Sequence, residues 1–102
     1  MGTCSEDHTF EELRSIVEPI AREYGMKRVS LFGSRARGDN SPGSDYDFCV
    51  LTDEECGMFE LAGFFLDLRD AIGNEIDLVC EDELEEDFSR TIHRDMRLLY
   101  EI

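Results

Sequence analysis

Three short runs with strand character, KRVSLF (27–32), DYDFCVLT (45–52) and EIDLVC (75–80), are separated by stretches whose apolar residues recur at helical intervals. That alternation of periods leaves few ways to bury the apolar side chains. The first helical stretch opens at Thr9. It stands three residues before Glu12, the spacing at which each side chain satisfies the other residue's free amide. Phe10, Leu13, Ile16, Val17, Ile20, Ala21 and Tyr24 then fall on one face, with Pro19 predicted to kink the helix and Gly25 to end it. Ser34 to Gly38 suits a single helical turn, and Asp39 to Ser44 (DNSPGS) is loop chemistry. Thr52 and Glu55 repeat the capping spacing, and Phe59, Ala62, Phe65, Leu66, Leu68 and Ile72 predict a helix that Gly73-Asn74 breaks. Leu84, Phe88 and Ile92 predict a last helix, while Leu98-Leu99-Tyr100 suits either its final turn or a short edge strand. The order is helix, strand, turn, strand, helix, strand, helix, which predicts an α+β domain, a small mixed sheet with helices packed on it. A length of 102 residues with no long linker predicts a single domain over 1–102.

Composition narrows the function. Twenty-five acidic against ten basic residues give a formal charge of -15, and Lys27 is the lone lysine. Such a field repels phosphate backbones, so direct nucleic-acid binding is not expected. The plain reading of the acids is a solvated surface; the sharper one is a partner with a basic face. The run EDELEED (81–87) is read in the same two ways, as a helix start or as a docking surface. No apolar run approaches the roughly 20 residues that span a bilayer, and MGTCSEDHTF has no secretion signal pattern. Cys4, Cys49, Cys56 and Cys80 lack paired zinc spacing, and read as reduced thiols they point to the cytoplasm. His8 and His93 are read as surface or capping residues.

The chemistry concentrates in three places. Asp45 and Asp47 are two apart on a predicted strand, so their carboxylates share a face, while Tyr46, Phe48 and Val50 point the other way. A D-x-D pair alone is also what a solvated strand face shows. Asp77 is the single acid inside the apolar run IDLVC; it is either a surface acid or the third member of a cluster. Three carboxylates together raise one another's pKa unless a cation lies between them, and a hard divalent ion such as magnesium prefers oxygen ligands. Finally, Gly33-Ser34-Arg35 follows the first strand. A bare glycine, the serine amide and hydroxyl, and a guanidinium fork are the donors a phosphate needs.

Gly33-Ser34, ten intervening residues, then Asp45-Tyr46-Asp47 resemble the G-S-x10-D-x-D signature of the DNA polymerase β-like nucleotidyltransferase superfamily. The string GSRARGDNSPGSDYDFCV looks like its minimal nucleotidyltransferase (MNT) branch, and Asp77 in EIDLV stands where the third carboxylate belongs. The resemblance implies that Asp45, Asp47 and Asp77 are catalytic and ligate two Mg2+ ions. It implies that Gly33 and Ser34, with Arg35 nearby, bind the triphosphate of ATP. It further implies transfer of AMP to a tyrosine of a HEPN-domain toxin, making the chain an antitoxin. Arg37 also matches the string; a structural pairing with nearby acids is its alternative reading, and it is left out of the site. Asp95-Met96 departs from the family pattern, where a glycine is common. The competing functions are a non-catalytic acidic antitoxin and a small-molecule nucleotidyltransferase.

Overall fold

The capping pattern at the chain's first helix forms as written. In the computed structural model, which describes residues 8–41, 43–81, 90 and 94–102, the Thr9 amide donates to Glu12 Oε1 at 2.8 Å and the Glu12 amide to Thr9 Oγ1 at 3.1 Å. Helix α1 (Phe10–Glu23) starts there and continues through Pro19. Strand β1 (Met26–Phe32), the single turn α2 (Ser34–Arg37), strand β2 (Tyr46–Thr52), helix α3 (Met58–Ile72), strand β3 (Ile76–Cys80) and strand β4 (Arg97–Glu101) follow. The predicted helix carrying Leu84, Phe88 and Ile92, the bulk of the acidic run, His93 and Cys4 lie outside the described residues.

The strands form one mixed sheet in the order β3-β2-β1-β4. β1 pairs antiparallel with both β2 and β4, whereas β2 and β3 are parallel, as a crossover through α3 requires. Cross-strand partners share a face. Val29 with Val50, Leu31 with Phe48 and Tyr46 with Ile76 therefore build one apolar face. Leu13, Val17 and Ala21 of α1 and Phe64, Leu68 and Ile72 of α3 close over that face. The opposite face pairs Ser30 with Cys49 and Asp47 with both Phe32 and Asp77. It is not simply a solvent face, because Ser30 and Cys49 are both buried.

Two expectations are corrected. Thr52 is the last residue of β2 and not a helix cap: α3 begins six residues later behind Gly57, whose amide donates to Glu60 Oε1 at 2.9 Å. The face of α3 also differs. The sequence spacing puts Phe59, Ala62 and Leu66 on the packing face, yet all three are exposed, and the buried stripe is Phe64, Leu68 and Ile72. The segment FELAGFFLDLRDAI is apolar nearly all round, so its period does not select one stripe. The ambiguous Leu98-Leu99-Tyr100 is strand: it lies in β4, on the sheet edge beside β1. A register shift at Val29/Ser30 lets the consecutive Leu99 and Tyr100 both be buried, which hides the usual strand alternation.

Candidate functional site

The site is assembled at the end of the sheet where β1 leaves and β2 and β3 enter. β1 ends at Phe32, which pairs with Asp47, so the next residue, Gly33, lies directly against the Asp47 side chain. A Cβ on Gly33 would stand 2.5 Å from Asp47 Oδ2, closer than real Cβ contacts come, and the backbone there has φ +80°. Both facts demand glycine. Ser34 then opens α2, whose turn is closed by the Ala36 and Arg37 amides donating to Gly33 O at 3.1 Å.

Asp45 stands just before β2 and is exposed; Asp47 is half-buried inside it. Asp77 is exposed on β3, and the parallel register sets it directly beside Asp47. The three predicted carboxylates thus come from adjacent strands at one sheet end. Their mutual field is visible in Asp47, whose pKa is raised by burial first, then by Asp77, then by Asp45, against a lowering contribution from Arg37. Arg37 itself is held by Asp39 and Asp95, each at 3.1 Å, the structural pairing read for it in the sequence. Asp95, in the tail segment that departs from the expected family pattern, makes this ion pair across the fold.

Arg35 is placed differently from Gly33 and Ser34. Its Nε and Nη2 donate to Ser44 O at 2.9 and 2.7 Å, and its guanidinium lies 3.9 Å from the centre of the Tyr46 ring. In this arrangement the fork braces the loop that delivers Asp45. Asn74 Nδ2 donates to the same Ser44 carbonyl at 3.1 Å, and the Tyr46 amide donates to Glu75 O at 3.1 Å. These bonds fix the entry of β3 against the entry of β2, and with it the Asp47–Asp77 pairing. The sequence pattern shows Asn74 only as a helix breaker, because nothing local announces a bond spanning thirty residues. His8 likewise does more than cap or face solvent: its Nε2 donates to Ile72 O at 2.8 Å and its amide to Tyr46 Oη at 3.0 Å, tying the end of α3 to the start of β2.

The donor set suits a hard cation in chemistry and register: three carboxylates and a raised Asp47 pKa that positive charge would relieve. Among the described residues, no three His, Cys, Asp or Glu side chains already converge in ligating geometry. Fold and site together define a nucleotidyltransferase domain: paired and single carboxylates on neighbouring strands, facing a glycine–serine turn.

The comparisons with known proteins name the family. Residues 14–102 match the family model described as Polymerase beta, Nucleotidyltransferase, and the chain belongs to that family. A relative from Methanocaldococcus jannaschii assigned as a protein adenylyltransferase is 32% identical over 68 residues, covering 67% of this chain and 73% of the relative. A solved structure described as a minimal nucleotidyltransferase superimposes with a TM-score of 0.75 at 29% identity, covering 88% of this chain and 95% of that one. The fold is also shared with a Shewanella oneidensis complex of tri-AMPylated HEPN toxin with MNT antitoxin: TM-score 0.69, 16% identity, 92% of this chain and 74% of that one. No helix among the described residues is long and apolar enough to cross a membrane.

Proposed function

We propose that this chain is a magnesium-dependent protein adenylyltransferase that moves AMP from ATP to a tyrosine hydroxyl of a HEPN-domain toxin, and thereby acts as an antitoxin in the cytoplasm. The observation that carries the reading is the register of Asp77 beside Asp47, with Gly33 left bare against the Asp47 carboxylate. The adenylyltransferase assignment of the 32% identical relative supports the reaction class. The HEPN toxin bound in the Shewanella complex supplies the class of acceptor.

In this reading Asp45 and Asp47 would hold two Mg2+ ions, with Asp77 a ligand to one of them. Such ions would supply positive charge to offset that of the phosphates. Gly33 and Ser34 take the terminal phosphates through backbone amides and the serine hydroxyl. Asp77 favours loss of the acceptor proton. The acceptor oxygen then bonds to the α-phosphorus, the bond to the β-phosphate bridging oxygen breaks, and pyrophosphate leaves. Arg35 serves this site by bracing Ser44 and Tyr46.

The test is the intact mass of a candidate HEPN-domain partner, sought among the products of the genes flanking this chain's own, after incubation with the chain, ATP and magnesium. The expected result is a gain of whole AMP units that requires magnesium and disappears in Asp45→Asn/Asp47→Asn. That variant should fold. A raised folded-state pKa means Asp47 favours the fold only in its protonated form, a contribution lost as pH rises through that pKa. A neutral amide at position 47 should therefore leave the melting temperature at neutral pH equal to or above that of wild type. A partner that is neutralised without gaining mass would reject transfer and leave the acidic-binder alternative.

A further inference from the structure

The sheet face closed by α1 and α3 accounts for only part of α3. Phe64, Leu68 and Ile72 face inward, but Met58 is 80%, Phe59 91% and Leu66 57% exposed. Met58, Leu61, Ala62, Phe65 and Leu66 line a shallow groove of about 370 Å3 with Leu78 of β3. A helix apolar on both faces is not a stable surface helix by itself, and apolar patches bordered by polar groups mark contact sites. The border here is acidic: Glu60, Asp67 and Asp70 are exposed along the same helix, whose one basic residue, Arg69, is paired with Glu75 at 3.1 Å.

The groove runs toward the candidate site. β3 is the sheet's edge strand, and Leu78, which lines the groove, directly follows Asp77. Leu66 is shared with a second, open hollow lined by Arg69, Asp70, Gly73, Asn74 and Glu75, and Asn74 and Glu75 are the residues that set the entry of β3. The groove and the hollow meet at Leu66 and together follow α3, about 22 Å long at 15 residues, to Asn74 and Glu75 at the entry of β3; Asp77 lies across the β3 edge, on the other face of the sheet.

The geometry points to this surface as the docking face for the acceptor protein: a partner helix whose apolar ridge fills the groove and whose bordering lysines or arginines meet Glu60, Asp67 and Asp70. This rests on the protein-acceptor reading of the site. Charge decides the occupant. A second copy seated across a two-fold axis would set the same acidic border against itself, on chains of formal charge -15 each. A basic-bordered partner is instead attracted and steered to the groove. Docking along α3 leaves the partner's acceptor segment free to reach over the β3 edge.

The experiment uses the full chain and the candidate HEPN-domain partner of the mass assay, with titration calorimetry for binding and intact mass for transfer. Phe59→Glu/Leu66→Glu removes the apolar ridge at positions the core does not use. Asp70→Lys reverses charge at the border while leaving the Glu60 cap and the Tyr24–Asp67 bond in place. The first should weaken partner binding at least tenfold and raise KM for the partner by a similar factor, with kcat and Mg-ATP affinity unchanged. The second should also weaken binding and reduce the salt dependence of the association rate. Circular dichroism and melting temperature check that both variants fold. Wild-type binding in both variants overturns the docking face, as does wild-type failure to bind the partner. A wild-type dimer made monomeric by Phe59→Glu/Leu66→Glu assigns the groove to a second copy and overturns it. So does Phe59-dependent binding to zwitterionic lipid vesicles without partner binding. If the partner binds wild type, gains no AMP, and is still lost with Phe59→Glu/Leu66→Glu, the transferase reading fails and the docking face stands.

Discussion

Helices α1 and α3 pack side by side on the same sheet face with equivalent buried stripes, Leu13-Val17-Ala21 and Phe64-Leu68-Ile72, each spaced by four. Their outer faces are opposite in kind. The outer face of α1 carries Glu11, Glu12, Arg14, Glu18, Arg22 and Glu23, with ion pairs between Glu18 and Arg22 and between Glu11 and Arg14. The outer face of α3 carries Met58, Phe59, Ala62 and Leu66 alongside Glu60, Asp67, Arg69 and Asp70. Burial on the sheet explains the whole of α1 and only half of α3. Among the described residues the exposed part of α3 adds nothing to the core, and the proposed partner contact would account for it. One helix is built for folding, the other for folding and contact.

The widest separation should come from two phenylalanines of α3 that differ only in direction. Phe64 is fully buried, and Phe64→Ala should cost about 3–5 kcal/mol through lost burial and the cavity left behind. That is a large part of the total stability of a domain this size. Phe59→Ala should change stability by no more than about 0.5 kcal/mol, while lowering affinity for the partner. Urea denaturation of both variants measures the contrast. Similar losses of stability from the two would erase the distinction between the faces of α3.

The starts of the two helices differ as well, and the next effect is smaller. α1 has a reciprocal cap, Thr9 with Glu12, whereas Gly57 at the start of α3 brings no side-chain oxygen, so only Glu60 closes the turn. Thr9→Ala should destabilise by about 1 kcal/mol, which is a shift of about 4–8 °C in melting temperature for a chain of this length. Calorimetry reads it directly. An unchanged melting temperature would mean that α1 is held by its buried stripe alone.

How much of the molecule is legible in its sequence follows the range of the interactions. The Thr9–Glu12 cap and strands β1 to β3 rest on neighbours within a few residues and appear where expected, although β2 begins at Tyr46 and leaves Asp45 just before it. The family resemblance places Asp77 in the site, but its register against Asp47 is a pairing across thirty residues that no local period encodes. The same limit hides the bond from Asn74 to Ser44 and the bridge from His8 to Ile72 and Tyr46. The contacts of Arg35 with Ser44 O and the Tyr46 ring are likewise set by the fold and not by local sequence. Thr52 misleads for a local reason, since a threonine three residues before a glutamate has the same spacing at a strand end as at a helix cap. α3 misleads because two functions are written on one helix, and a period search finds one stripe at most.

The smallest effect tests the tie between the two helices. Tyr24, the residue that ends α1, donates its hydroxyl to Asp67 Oδ2 of α3 at 2.7 Å, and its ring fills the space beside Gly63, where a Cβ would meet it at 2.7 Å. The bond to the Asp67 carboxylate is the main cause that pushes the Tyr24 pKa up from 10.0 to about 12, with desolvation and the charges of Asp67 and Glu23 adding to it. Because the folded-state value lies above the unfolded one, this group's contribution is complete below pH 10 and fades as pH climbs through about 12. The bond faces water, so the loss of Tyr24→Phe should be slight at neutral pH. The informative quantity is the difference in stability between wild type and Tyr24→Phe, measured from pH 8 to 12 with other titrations common to both chains. It should be constant up to about pH 10 and shrink above it. A difference that grows with pH would mean the hydroxyl is not held by Asp67, and that the two helices share only their buried stripes.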